Sequence, residues 1–233
     1  MNSTEFNAYK SRYRDAIQQV LSDAEPGRLD DIGFPAYSHG NPLINWLFWK
    51  RLHTVMDYVE HGAPYQRALD FGCGSGVMLP FLASKSREVV AADVDLVPLE
   101  HMKRHVPLAA NVAVQDASPE SLGALPPESF DLIIALDVLE HIKNLPEAIS
   151  MLLRLLRAGG QLVVSGPTEN SVYQLGRLLA GPEYSGEYHE RGIADIRREL
   201  ARHVQLKHIA TLYWPVPLFE IFAALAPPQA NQD

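Results

Sequence analysis

The run Arg67-Ala-Leu-Asp-Phe-Gly-Cys-Gly-Ser-Gly76 decides the fold. Arg67 to Phe71 has the apolar content of a strand, and glycines then fall at 72, 74 and 76. Glycines directly after a strand let the backbone turn tightly and approach a ligand with no Cβ in the way. A plain strand-to-helix turn accounts for one or two of them, and poorly for three at alternate positions. A helix to about Ser84 follows, and from there short apolar runs alternate with helical segments. Glu88–Ala92, Val112–Val114, Phe130–Ala135 and Gln161–Ser165 read as strands. Between them lie a helix near Pro98–His105 and another over Leu145–Arg157, which Asn144 caps and Gly159-Gly160 ends. Continuous Val/Ile/Leu strands are those buried on both faces, and strand–helix alternation builds crossovers. The expectation is an α/β chain with a doubly wound, mostly parallel sheet and helices on both faces.

Upstream, residues 1–62 read as an N-terminal helical extension, and residues 63–233 as the sheet domain. Phe6, Tyr9, Tyr13, Ile17 and Val20 recur at spacings of three and four, which gives one helix an apolar face. A second helix starts with Asn41 as N-cap and Pro42 in its first turn, and stops near Gly62. Its aromatics, Trp46, Phe48, Trp49 and Tyr58, suit packing on the sheet or a lid over an apolar substrate. Downstream of Ser165 the pattern loosens. A helix is expected over Ser171–Ala180, a loop over 181–192, a helix burying Ile193, Ile196 and Leu200, and a strand over Val204–Tyr213. Pro215 and Pro217 break that strand, and Leu218–Leu225 reads as a short apolar helix. No seventh strand is evident.

Composition narrows the function. The chain has 233 residues, a net charge of −8, 47% hydrophobic and 21% charged residues, and one cysteine. A disordered chain is poorer in apolar residues, and a disulfide scaffold needs many cysteines. The acidic balance opposes a broad nucleic-acid-gripping face, which needs clustered Lys and Arg. Between Pro167 and Ala210 six basic and six acidic residues balance, so no phosphate-tracking stripe forms. No apolar run approaches the roughly 18 to 20 residues of a membrane span. The polar, charged start does not read as a secretory signal, and the unpaired Cys73 fits a reducing compartment. A cytoplasmic globular protein is expected.

The acids beside the glycines indicate the ligand. The dinucleotide fingerprint is G-x-G-x-x-G, with a pyrophosphate at the helix start. Here the spacing is G-x-G-x-G, with Asp70 two residues before Gly72. A carboxylate there repels phosphates and suits a ligand carrying an ammonium and a sulfonium. Asp93 ends the second strand 17 residues beyond Gly76, where an acid accepts hydrogen bonds from ribose hydroxyls. Asp95 reads as the N-cap of the next helix, although the two acids could exchange roles. Asp116, after the third strand, is placed to accept from an adenine amino group, or is a solvated loop acid. Together these describe S-adenosylmethionine; an NAD-dependent oxidoreductase is the alternative.

The segments LDFGCGSG (69–76), VVAADVD (89–95), QDA (115–117), FDLIIALDVLEHI (130–142) and LRAGGQLVVSGP (156–167) resemble the ordered motifs of class I S-adenosylmethionine-dependent methyltransferases. The resemblance covers Ala68 to Pro167. It implies a seven-stranded Rossmann-like sheet with the cofactor across the carboxyl ends of strands one, two and four. It further implies that Gly72, Cys73, Gly74 and Gly76 line the methionine portion and that Asp70 contacts the amino group. Asp93 with Val94 would take the ribose, Asp116 with Ala117 would flank the adenine, and Leu136 and Asp137 would cover the cofactor near the methyl donor.

Methyl transfer is an in-line displacement in which orienting the nucleophile accounts for most of the work. His141, after the fourth strand, and His189, in the 183–191 loop with Tyr184, Tyr188 and Arg191, are the candidate bases. A structural turn residue and an exposed loop histidine are their plain alternatives. No metal is expected: His101 and His105 share a helix face, but Met102-Lys103-Arg104 between them reads as solvated surface. The expected acceptor is a small or lipophilic molecule methylated at oxygen, nitrogen or carbon. The aromatic segments 43–49 and 213–219 could wall its pocket, touch a membrane surface, form a dimer interface, or simply complete the core. A non-catalytic S-adenosylmethionine-binding protein and an aminopropyl transferase remain as alternatives.

Overall fold

A computed structural model describes residues 1–23, Phe34, Tyr37, 41–168, 192–213 and 215–228. Two long helices come first, α1 (Ser3–Asp23) and α2 (Pro42–Gly62). The Asn41 side chain accepts from the Leu43 N–H and Pro42 fills the first turn, so α2 starts as the sequence predicts. Then come β1 (Tyr65–Phe71), α3 (Leu79–Lys85), β2 (Ser86–Asp93), α4 (Val97–Met102), β3 (Val112–Asp116), α5 (Pro119–Gly123) and β4 (Phe130–Leu136). A 3-10 turn over Leu139–His141 leads into α6 (Leu145–Leu155), β5 (Leu156–Pro167), α7 (Ile193–Leu200), β6 (Gln205–Leu212) and β7 (Phe219–Leu225).

One seven-stranded sheet runs in the order β3-β2-β1-β4-β5-β7-β6. The first five strands pair in parallel, and β7 lies antiparallel to both β5 and β6. Alternate residues feed two cores. Leu132, Ile134, Ile221 and Ala223 face α1 and α2, whereas Ile133, Ala135, Phe222 and Ala224 face α6 and α7. With apolar cover on both faces, the strands need no polar alternation.

Two expectations are corrected. Leu218–Leu225 forms no helix: from Phe219 onward it is β7, inserted between β5 and β6. A short run that is apolar on both faces cannot be assigned from its periodicity, and here two neighbouring strands settle it. The fifth strand begins at Leu156 rather than Gln161, because Leu156 already pairs with Phe130 before a register shift. Gly159, at φ +72°, lies within that irregularity, and α6 accordingly ends at Leu155.

Candidate active site

The glycine loop leaves β1 at the carboxyl edge of the sheet. Gly72 has φ +76°, and a Cβ there would stand 2.5 Å from Val138 Cγ2. Glycine is therefore required both by the backbone and by the loop after β4 pressed against it. Gly74, at φ +50°, has nothing within 4 Å of where a Cβ would lie, so its backbone borders open space. Gly72 and Cys73 donate their N–H groups to Ala92 O (2.8 and 3.2 Å), and Gly74 donates to Asp93 Oδ2 (2.7 Å). Asp93 Oδ1 accepts from Asp95 N–H at 3.1 Å, and Asp95 Oδ1 accepts from Val97 N–H at 2.9 Å as α4 begins. Asp95 thus closes the turn that leads into α4, whose N-cap is Leu96 rather than the expected Asp95, and Asp93 is the acid held against the glycine loop.

Over this loop opens a cleft of about 450 Å³. Of the eleven predicted cofactor residues, eight line it: Asp70, Gly72, Cys73, Gly74, Asp93, Val94, Leu136 and Asp137. Gly76 lies off the cleft, with Leu99 Cδ1 2.6 Å from where its Cβ would stand. Ala117 lines an adjoining apolar slot of about 210 Å³ with Phe71, Leu122 and Ile142, and Val94 borders both spaces. Asp116 pairs in register with Asp93 across β2 and β3. Its exposed carboxyl is held below the usual carboxylate range by the Ser118 hydroxyl and N–H.

The electrostatics favour a cation. Asp70 is 4% exposed, and burial, followed by the nearby charge of Asp93, pushes its carboxyl up to about 8. Burial likewise raises the Cys73 thiol, so it is no nucleophile. A ligand carrying an ammonium would restore charge to Asp70, and an open glycine backbone beside it admits a close approach. The residues present fit S-adenosylmethionine.

At the other end of the cleft stands an arrangement the sequence did not reveal. Asp137 has φ +53°, its N–H donates to Ser165 O (3.0 Å), and Ser165 Oγ donates to its Oδ1 (3.2 Å). Its carboxylate is ion-paired with Arg51 of α2, whose side chain is 1% exposed. The guanidinium lies 5.3 and 5.2 Å from the ring centroids of Phe48 and Phe219, and Nη2 donates to the Tyr37 hydroxyl at 3.1 Å. The available signal was a cation on the apolar stripe of α2, among the buried Trp49, Leu52, Val55 and Val59. His141 lies in the 3-10 turn and lines the same cleft. His189, with Tyr184, Tyr188 and Arg191, lies outside the described residues, as does the expected helix at 171–180. Among the described residues no group of three or more His, Cys, Asp or Glu is placed to hold a metal ion, and no helix is long and apolar enough to cross a membrane.

Comparison with known proteins shows the family. The methyltransferase-domain family matches residues 8–223. The chain is 28% identical over 201 residues to a ubiquinone biosynthesis O-methyltransferase of Dechloromonas aromatica, covering 81% of this chain and 85% of that protein. It is 28% identical over 184 residues to the protein of the same name from Ralstonia nicotianae, covering 76% and 75%. Among solved structures, the N-methyltransferase NodS of Bradyrhizobium japonicum in complex with S-adenosylhomocysteine superposes with a TM-score of 0.61. At 17% identity over 93% of this chain and 98% of that one, this likeness concerns the fold alone. With the family matched from α1 to β7 and the glycine cradle assembled at the strand ends, the chain belongs to the class I S-adenosylmethionine-dependent methyltransferases.

Proposed function

We propose that this enzyme methylates a hydroxyl oxygen of a small, lipophilic aromatic molecule. The observation that carries the reading is the aromatic wall at the β4 end of the cleft, where Tyr37 and Phe48 stand beside the Arg51–Asp137 pair. A flat, apolar acceptor packs on such rings, while an ionised side chain at their edge orients a hydroxyl. The two relatives named O-methyltransferases support oxygen as the acceptor atom. Leu43 and Trp46, 61% and 49% exposed, extend the apolar surface along α2, and the Trp46 ring meets that of Tyr213 at a tilt of 55°, centroids 5.3 Å apart. That lip suits a lipophilic acceptor, and a membrane surface that holds it.

In this reading Asp70 and the backbone of Gly72 to Gly74 hold the cationic tail of the cofactor, and Asp93 with Val94 takes its ribose. Asp116 and Ala117 flank the adenine, which the apolar slot accommodates. The bound cofactor supplies an electrophilic sulfonium methyl. Asp137 and Leu136 border the position the acceptor oxygen takes, and His141 is the candidate to accept its proton. Most of the rate then comes from orientation. Helices α1 and α2 of the N-terminal extension serve as a cover over the cleft of the 63–233 domain, in a cytoplasmic enzyme that does not act on nucleic acid.

The experiment is an incubation of the protein with methyl-tritiated S-adenosylmethionine and a cell homogenate, followed by fractionation. Label in the organic phase as an alkali-stable aryl ether is the expected result. Label in protein or nucleic acid, or in an alkali-labile ester, contradicts the reading.

A further inference from the structure

The glycine loop is gripped from outside the sheet by α1. Tyr9 and Tyr13 lie one turn apart on that helix, their rings stacked with centroids 6.3 Å apart. The Tyr13 hydroxyl donates to Ser75 O, and the Tyr9 hydroxyl to Val77 O. Within the loop, Cys73 O accepts from Gly76 N–H at 2.7 Å, and Gly76 O from Leu79 N–H at 3.0 Å. The carbonyls of 73 and 76 are therefore tied by the loop itself, and those of 75 and 77 by two tyrosines more than sixty residues away. Burial raises both phenols far above their ordinary range, so they remain hydrogen-bond donors at any physiological pH.

α1 is itself anchored. Phe6 stacks on His53 at 4.1 Å, and Phe6 and Tyr13 meet Trp49 edge-on at 6.0 and 6.3 Å. The N-terminal amine is ion-paired with Glu60 of α2. The hydroxyls are thus presented by a fixed scaffold.

We propose that Tyr9 and Tyr13 are positioning residues for the cofactor, their hydroxyls holding the glycine loop in the shape that binds it. The inference rests on the cofactor reading above. A ligand that meets a preorganised loop avoids the cost of ordering it, and a carbonyl that loses its buried donor becomes free to turn or to hydrate. Neither tyrosine has to touch the ligand for this.

The test is calorimetric titration of S-adenosylhomocysteine into the wild type, Tyr9→Phe, Tyr13→Phe and the double variant, with Tyr58→Phe as a control. Tyr58 donates to Gln161 Oε1 at 2.9 Å, away from the loop. Phenylalanine preserves the ring packing and removes only the donor. The double variant is expected to bind about tenfold more weakly than wild type, and Tyr58→Phe to bind as wild type does. Amide exchange of residues 72–79 in the ligand-free double variant is expected to accelerate while that of β4 and β5 does not, a pattern a general loss of stability would not give. Unchanged affinity and unchanged loop exchange overturn the proposal. Should the double variant not fold, the single variants carry the same comparison. Should the wild type bind no S-adenosylhomocysteine, the cofactor reading falls, and loop exchange alone decides the clamp.

Discussion

Asp70 and Asp93 carry most of the site's testable chemistry. A carboxyl raised from 3.8 to about 8 keeps its proton in the fold across a range where the unfolded chain has lost it. The stability this contributes is complete below about pH 4 and is lost as pH rises through 8. The ligand-free protein should therefore melt at a lower temperature at pH 8 than at pH 5.5, and Asp70→Asn should reduce that difference. S-adenosylhomocysteine affinity should run the other way, because the ligand ammonium favours the ionised carboxylate. It is expected to rise by up to about tenfold per pH unit between 6 and 8. Asp93→Ala is expected to cost about 1.5 to 3 kcal/mol of binding, the value of a charged hydrogen bond, with the fold retained by circular dichroism. Both acids were legible because short chain spacing fixes them relative to the glycines. Arg51 and Tyr37 were not. Arg51 meets Asp137 across 86 residues of sequence, and only the packing of α2 on the sheet brings the two together.

Among the elements, β7 shows where sequence patterning runs out. Its residues 221 to 224 are buried on both faces, and Ala223 and Ala224 read locally as helix. The strand exists because β5 and β6 each offer it an antiparallel edge. Phe222, 1% exposed and packed in the core under α6 and α7, should cost about 3 to 5 kcal/mol when changed to Ala in a denaturant titration. By contrast α1 and α2 were visible at once, since their apolar residues recur at helical spacing and Asn41-Pro42 marks a start. What that pattern did not disclose is the partner of α2. Arg51→Met removes the cation from Asp137 and should destabilise the chain. The loss should fall below the about 3 to 5 kcal/mol of a fully buried pair, because Asp137 keeps 23% of its side chain exposed.

At the scale of the whole molecule, the extension and the sheet share a core. Phe6, Ile17, Trp49 and Val59 belong to the same buried cluster as Ala68, Leu132 and Val163 of β1, β4 and β5. The family match likewise begins within α1. Residues 1–62 are thus proposed to unfold together with the sheet, giving one transition by both far- and near-ultraviolet circular dichroism. Two separated transitions would show an independent extension. The fold class, the parallel half of the sheet and the gathering of glycines and acids at one sheet edge were readable in the order of strands, glycines and acids. The Arg51–Asp137 end of the cleft was not, because α2, β4 and β7 build it from distant segments. The central claim is that the carboxyl edge of this sheet holds the adenosyl cofactor by its glycine loop and strand-end acids, and calorimetry of the full chain with S-adenosylhomocysteine tests it most directly. One site per chain is predicted, with an enthalpy near pH 7 that depends on the buffer as Asp70 releases its proton, and with binding weakened by Asp93→Ala. No binding at millimolar ligand, or an affinity indifferent to Asp93→Ala, would contradict the account.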